Sequence, residues 1–197
     1  MKTMIITGGS SGIGKATAEL FAKNGYKVYE LSRRNPATPS LAESGEICHI
    51  KCDVTDAEAC NKAVEQVIAA EGKVDVLISN AGMGISGAVE FTTTEDMRRQ
   101  MDVNFFGAVN ITQAVLPYMR KAKKGNIIFV SSVMAAYGLP FQAFYSASKF
   151  AINGFAQALT NEVRPFNVKV AVLMPGDVKT GFTDARKKEL EGADAYP

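Results

Sequence analysis

The sequence predicts an α/β fold, a doubly wound parallel sheet with helices on both faces, on three observations. Short β-branched runs alternate with longer helical patterns along the chain. Several of those runs are nearly continuous in apolar residues, as strands covered on both faces require. The first run ends in a glycine cluster that opens an amphipathic helix.

The strand candidates are "MIIT" (4–7), "KVYEL" (27–31), "ICHIK" (47–51), "VDVLIS" (74–79), "NIIFVS" (126–131) and "VKVAVLM" (168–174). Between the first two lies a helix with Ala18, Leu20 and Phe21 in its apolar set. Thr55 with Glu58 and Thr92 with Glu95 fit the S/T-x-x-E capping pattern and mark two further helix starts. Glu95 to about Lys121 is the longest helical pattern, and Pro117 is expected to kink or break it near its end. Ala147, Ala151, Gly154 and Ala158 form a small-residue stripe on the helix that carries Tyr145, with Phe150, Phe155 and Leu159 on adjoining faces. That pattern predicts an interior or interface helix.

At 197 residues and 47% apolar composition the chain is sized for one domain, 1–197, with no repeat or linker to divide it. Its 22 basic and 20 acidic residues give a net charge of +2 and no run of like charges, which argues against nucleic acid and for small-molecule partners. "MKTMIITGG" is too short in apolar residues for a signal-peptide core or a membrane span, so a cytoplasmic location is expected. Cys48, Cys52, Cys60 and His49 lack a paired C-x-x-C, so they read as reduced thiols and a lone histidine, with no metal site.

The glycine cluster lies in "TGGSSGIGKATAELFAKNG", directly after the first strand. Glycines there let the backbone turn tightly and approach a pyrophosphate held on the free N–H groups of a helix N-terminus. Gly8, Ser10, Ser11, Gly12, Ile13 and Gly14 are the predicted cradle of a Rossmann-like nucleotide site. Its T-G-x-x-x-G-x-G spacing, with "NAG" at 80–82 and Y-x-x-x-K at 145–149, resembles the classical branch of the short-chain dehydrogenase/reductase family. The resemblance runs from Thr3 to about Thr183 with the motifs in the family's order. It implies an oxidoreductase of carbonyl and CH–OH groups. It also implies a helical lid and a last strand beyond "EGADAYP", which this sequence does not contain; "DARKKELEGADAYP" reads as the polar, partly helical start of that lid.

An acid about twenty residues past the glycines holds the ribose diol of NAD, whereas arginine there accommodates the 2'-phosphate of NADP. Here Ser32 stands where the acid is expected, and Arg33 and Arg34 follow. Two arginines after a strand are either solvated loop charges or a phosphate site; the strand-end position favours the phosphate, hence NADP(H), with Arg33 as the main contact. Asp53 and Val54 after the third strand, and Asn80, Ala81 and Gly82 after the fourth, occupy the strand ends where open α/β sheets bind ligands. By resemblance they border the adenine and its ribose.

Ketone reduction needs a proton donor, a polariser of the carbonyl and an oriented hydride source. Tyrosine can donate the proton, but lowering its pKa from ~10 to ~7.5 takes about 3 to 4 kcal/mol. An ammonium ~5 Å away supplies that at an effective dielectric near 20, though not in water. Tyr145 and Lys149, one helical turn apart, are therefore either a surface pair or, if partly buried, a proton-transfer unit. The family resemblance implies the second. It assigns acid/base work to Tyr145, and makes Lys149 both its electrostatic partner and a ribose contact. Ser132 becomes the carbonyl polariser and Asn104 part of a proton relay. "MPGDVKT" fits the family's PGxVxT segment, in which Pro175, Gly176, Val178 and Thr180 would hold the nicotinamide end.

Met83, Ile85, Met134, Phe141, Phe144 and Met174 adjoin these motifs, so a small apolar carbonyl or alcohol substrate is expected. The resemblance also implies a homodimer or homotetramer through the 95–121 and 145–164 helices. A nucleotide-binding regulatory or interaction protein on the same fold is the alternative reading.

Overall fold

In the computed structural model, which describes residues 1–34, 44–182, 185–188 and 195, six parallel strands form one sheet. They are β1 (Lys2–Thr7), β2 (Tyr26–Ser32), β3 (Glu46–Lys51), β4 (Val76–Ser79), β6 (Gly125–Val130) and β7 (Val168–Leu173). A two-residue β5 (Ile85–Ser86) pairs separately with β8 (Lys187–Lys188). The helices are α1 (Gly12–Lys23), α2 (Ala57–Glu71), α3 (Thr94–Met101), α4 (Gly107–Ala122) and α5 (Ala143–Val163). The sheet order is β3-β2-β1-β4-β6-β7. The order reverses between β1 and β4, and the crevice outside the strand C-termini at such a switch point is where this class of sheet takes ligands.

Both faces of the sheet are covered, which is why its strands are apolar runs rather than alternating ones. In β1, Met4 and Ile6 pack into a cluster with Ala18 and Ala22 of α1 and Val28 of β2. Ile5 between them enters the larger core, which contains Val64 and Val67 of α2, Ile111 and Val115 of α4 and Ile152 and Leu159 of α5. No helix among the described residues is long and apolar enough to cross a membrane.

Both expected caps move by one residue. Asp56 caps α2, its side chain accepting from the Ala59 N–H at 3.0 Å. Thr93 caps α3, accepting from the Asp96 N–H at 3.2 Å. The threonines of the sequence pattern are engaged elsewhere: the Thr55 hydroxyl donates to Asp53 Oδ1 at 2.8 Å and the Thr92 hydroxyl to Ala88 O at 2.9 Å.

The long helical pattern is three pieces. α3 runs into a π-helical segment, Asp102–Phe106, and then into α4. Pro117 does not end α4, which continues to Ala122 and closes on Lys123 at φ 49°. The small-residue stripe of α5 is not its packing face. Ala147, Gly154 and Ala158 are exposed, while Tyr145, Ser148, Lys149, Ile152, Ala156, Leu159 and Val163 are buried. The inner face is the one that carries Ile152, Leu159 and Val163, whose burial removes more apolar area from water than the alanine and glycine stripe would.

Where the sequence reads a lid helix after Asp184, Lys187 and Lys188 form the short strand β8; the rest of that stretch lies outside the described residues. The three cysteines are free, Cys52 and Cys60 buried and Cys48 half-buried.

Candidate active site

The site assembles at the C-terminal ends of β1, β4 and β6. Gly8 (φ 67°) and Gly12 (φ 54°) adopt left-handed backbone that other residues resist, which lets the chain leave β1 and enter α1 in a tight turn. A Cβ on Gly14 would stand 2.3 Å from Gly8 O, so the turn closes on the helix only because position 14 has no side chain. Ser11 begins α1 without a side-chain capping bond, and the Thr180 side chain lies beside Gly12, 3.6 Å from where its Cβ would be.

Asn80 and Thr7 lock this turn to β4. The Asn80 side-chain amide donates to Thr7 O at 3.0 Å and Gly8 O at 3.1 Å. The Thr7 hydroxyl oxygen accepts from the N–H groups of Asn80 and Ala81, both at 3.0 Å. Asn80 thus shapes the glycine turn with its side chain. Thr7 is a residue sequence reasoning missed; a hydroxyl at a strand end facing the NAG turn was the available signal.

Beside the cradle, an open cleft of about 490 Å³ is lined by Arg33, Asp53, Thr55, Arg98 and Val103 among others. Arg33 and Arg34 are both exposed at the end of β2, but only Arg33 lines this cleft. The Ser32 hydroxyl is turned toward Arg34 O (2.8 Å) and the buried Glu30 carboxylate (3.2 Å), which also meets His49 Nδ1 at 2.6 Å. Asp53 Oδ1 accepts from the Thr55 N–H at 3.0 Å. Val54 is buried against Gly107, and its carbonyl accepts from the Asn110 side chain at 2.8 Å.

Tyr145, Lys149, Ser132 and Asn104 come together from three elements. Tyr145 and Lys149 are 8% and 5% exposed, so the pair is interior, the condition under which their interaction has chemical weight. Lys149 Nζ lies 5.6 Å from the Tyr145 ring centroid and donates to Val130 O at 2.9 Å. Ser131 donates to Lys149 O at 3.2 Å, which leaves Ser132 as the serine at the phenol.

The π-helical segment carries Asn104, and its wider turn aims the amide into the site. Asn104 Oδ1 accepts from the Met83 N–H at 2.8 Å; its Nδ2 donates to Met83 O at 3.0 Å and Ser148 Oγ at 3.1 Å. Ser148 in turn donates to Tyr145 O at 2.7 Å. A Cβ on Gly82 would lie 3.4 Å from Asn104 Oδ1 and 3.8 Å from Lys149 Nζ, so Gly82 is where the two groups meet. Gln100 was also missed: fully buried, it accepts from the Ile85 N–H at 2.8 Å and donates to Met83 O at 2.7 Å. Its spacing of four from Asn104, two amides in one helical stretch, is the signal that could have found it.

The electrostatics differ from the expected picture. Burial pushes the Tyr145 phenol above its ordinary pKa, while hydrogen bonding from Ser132 and the Arg186 guanidinium pull it down. Burial also lowers the Lys149 ammonium from 10.5 to about 8. Desolvation therefore dominates at both groups, and Tyr145 is a phenol at neutral pH.

Pro175 O accepts from the Val133 N–H at 3.0 Å, tying the 174–180 segment to the Ser132 loop, and Val178 is exposed. Of the residues assigned to the substrate, Met83, Met134 and Phe144 are half-buried and Phe141 and Met174 exposed, whereas Ile85 is buried within β5.

The model of the family described as short chain dehydrogenase matches residues 2–191. The chain belongs to that family. Among short-chain dehydrogenases and their relatives, a 3-ketodihydrosphingosine reductase of Bacteroides thetaiotaomicron is 50% identical over 190 residues, 96% of this chain and 69% of that protein. A short-chain dehydrogenase of Streptomyces avermitilis superposes with a TM-score of 0.89 at 35% identity, over 95% of this chain and 70% of that one. The NADP-bound structure of ElxO superposes with a TM-score of 0.88 at 30% identity, over 98% of this chain and 79% of that one. The chain spans about two thirds of the length of several of the curated relatives it matches.

Proposed function

We propose that this chain is the nucleotide-binding and catalytic part of an NADP(H)-dependent reductase that interconverts a ketone or aldehyde and its alcohol, with Tyr145 as acid/base. One observation carries the reading: Tyr145, Lys149, Ser132 and Asn104 converge in a desolvated site at the strand ends, beside a glycine turn that is open at the N-terminus of α1. The turn braced by Asn80, with Thr180 beside it, fits a dinucleotide pyrophosphate, and the 174–180 segment fits its nicotinamide end. When bound, that cofactor supplies or receives the hydride.

The protein's own residues manage the proton. Ser132 donates toward the carbonyl oxygen and polarises it, and the Tyr145 phenol delivers its proton to the forming alkoxide. Lys149 stabilises the phenolate that remains, and Asn104 holds the loop across which the proton is replenished. The half-buried Met83, Met134 and Phe144, together with the keto substrate in the name of the Bacteroides relative, support an apolar ketone. A panel of apolar ketones with NADPH is expected to give cofactor oxidation matched by alcohol formation; no turnover of any ketone or alcohol would contradict the reading.

NADP(H) is favoured because Arg33 offers an exposed guanidinium at the end of β2, beside the cleft that contains Asp53, while Ser32 leaves no acid for a ribose diol. Arg33→Asp is expected to weaken NADPH about 10- to 100-fold, the worth of a charge-assisted hydrogen bond, and to improve NADH. Equal NADPH affinity in the two proteins, by fluorescence titration, would overturn the assignment.

The outer face of α5 and the π-helical segment expose Phe150 and Phe106, 45% and 51% accessible, near the small residues Ala147, Gly154 and Ala158. These support self-association through the helices, as a dimer or tetramer. Light scattering should give a mass of two or four chains, and a monomer mass would count against it.

A further inference from the structure

Arg186 lies over the substrate side of the site and is not accounted for by the proton chemistry. Three contacts place it. β8 pairs with β5 in the register Ile85↔Lys187, and the Lys187 N–H donates to Gly84 O at 3.1 Å. Lys187 Nζ forms an ion pair with Asp96 of α3, which anchors the strand from the other side. The Arg186 stem rests on Gly84: a Cβ at that position would stand 3.2 Å from Arg186 Cγ and 3.1 Å from its Nε. A glycine four residues past Asn80 is thus what lets a guanidinium approach the loop that borders the site.

Phe182 completes the cover. Its ring lies 5.9 Å from that of Tyr145, and its edge is 3.4 Å from the same missing Cβ of Gly84. Arg186 is close enough to the phenol to favour its ionised form. Its Nε is buried with no hydrogen-bond partner, and no carboxylate among the described residues forms an ion pair with it, in contrast to Lys187 next to it. A desolvated N–H without an acceptor costs stability unless a ligand supplies one. Guanidinium matches carboxylate and phosphate oxygens in particular.

Building on the reductase reading, we propose that Arg186 is a specificity-determining residue that receives an oxyanion, a carboxylate or a phosphate, carried by the substrate in addition to its carbonyl. The substrate then presents its carbonyl to Ser132 and Tyr145, its apolar part to Met83, Met134 and Phe144, and its anionic group to the guanidinium above Gly84. A neutral ketone of the same skeleton lacks the third contact.

The test measures affinity without turnover. Levulinate, its methyl ester and the phosphate monoester of the matching keto alcohol are titrated calorimetrically into the protein saturated with oxidised NADP, and the same three are assayed as substrates with NADPH. At least one anion is expected to bind about 10-fold or more tightly than the ester in the wild type, the range of a charge-assisted hydrogen bond. The tighter of the two anions identifies the source of the oxyanion. Arg186→Gln should abolish the preference with ester affinity unchanged, and Arg186→Lys, which keeps the charge without the fork, should retain part of it. Equal affinity for acid and ester, no measurable affinity for either anion, or an anion preference that survives Arg186→Gln would each overturn the proposal. So would an equal loss for all three ligands, which would make Arg186 a general support of Tyr145. Preference for the anion with no reduction of any ketone would instead overturn the reductase reading and leave the Arg186 site standing.

Discussion

Tyr145→Phe is expected to reduce turnover by roughly 10²- to 10⁴-fold, the usual worth of a positioned acid/base, while leaving cofactor affinity within about twofold. Only one oxygen is removed, and the ring keeps its packing against Phe182. The fold is expected to lose at most about 1 kcal/mol, because the phenol is uncharged in both the folded and unfolded states at neutral pH and only its hydrogen bond with Ser132 is lost. The raised pKa also sets the sign of the pH dependence. Reduction uses the protonated phenol and should hold through neutral pH, then decline as the solution becomes alkaline. Alcohol oxidation uses the phenolate and should rise over the same range. Stopped-flow measurement of both directions with wild type and variant checks this; turnover unchanged in Tyr145→Phe would refute the mechanism.

Lys149→Met is expected to remove most of the activity and yet raise stability at pH 7. Burial holds the folded pKa of Lys149 at about 8 against 10.5 for an ordinary lysine. At pH 7 the group is charged in both states, so the folded protein bears the full desolvation cost, about 3 kcal/mol. Between about pH 8 and 10.5 the folded lysine is neutral while the unfolded one remains protonated. Wild-type stability therefore rises with pH across that window and levels off above it. Methionine avoids the cost but leaves Val130 O without its donor, a loss of about 1 kcal/mol, so a net gain of about 2 kcal/mol is expected. Urea denaturation from pH 7 to 10.5 should show a rising curve for wild type and a flat one for Lys149→Met across the titration window. A variant less stable than wild type at pH 7 would mean that the lysine anchors the fold rather than burdening it. Such a trade between stability and activity is usual where a charge is held out of water for chemistry.

Much of this site is legible in the sequence because its determinants are local. The six strand candidates match the six strands of the sheet to within about two residues at either end, since covered strands need continuous apolar runs. The glycine turn is readable because left-handed backbone at Gly8 and Gly12 restricts residue choice. Tyr145 and Lys149 announce themselves by spacing, although only burial in the fold distinguishes them from a surface pair.

What the sequence did not disclose depends on contacts between distant segments. Thr7, Gln100 and Ser148 act through hydrogen bonds spanning 74, 17 and 44 positions, so a local pattern can mark the residue but not name its partner. The π-helical segment around Asn104 has the same apolar periodicity as an α-helix and differs only in hydrogen-bond register. The caps moved by one residue because the helices begin at Ala57 and Thr94, which puts Asp56 and Thr93 at the position whose side chain can accept from the first free N–H groups. The stripe from Ala147 to Ala158 faces outward because the other side of α5 buries more apolar surface. Arg186 is invisible in advance, since only the β5–β8 pairing brings it to Gly84.

Hydride transfer to a carbonyl carbon, with Tyr145 as the proton donor, is tested most directly by isotope. An apolar ketone is incubated with NADPH carrying deuterium at the transferable position of the nicotinamide ring, and the alcohol is analysed by mass spectrometry. Wild type is predicted to place one deuterium on the carbinol carbon of each product molecule, and Tyr145→Phe to yield almost no product. Unlabelled alcohol from the wild type, or equal labelled yield from Tyr145→Phe, would contradict it.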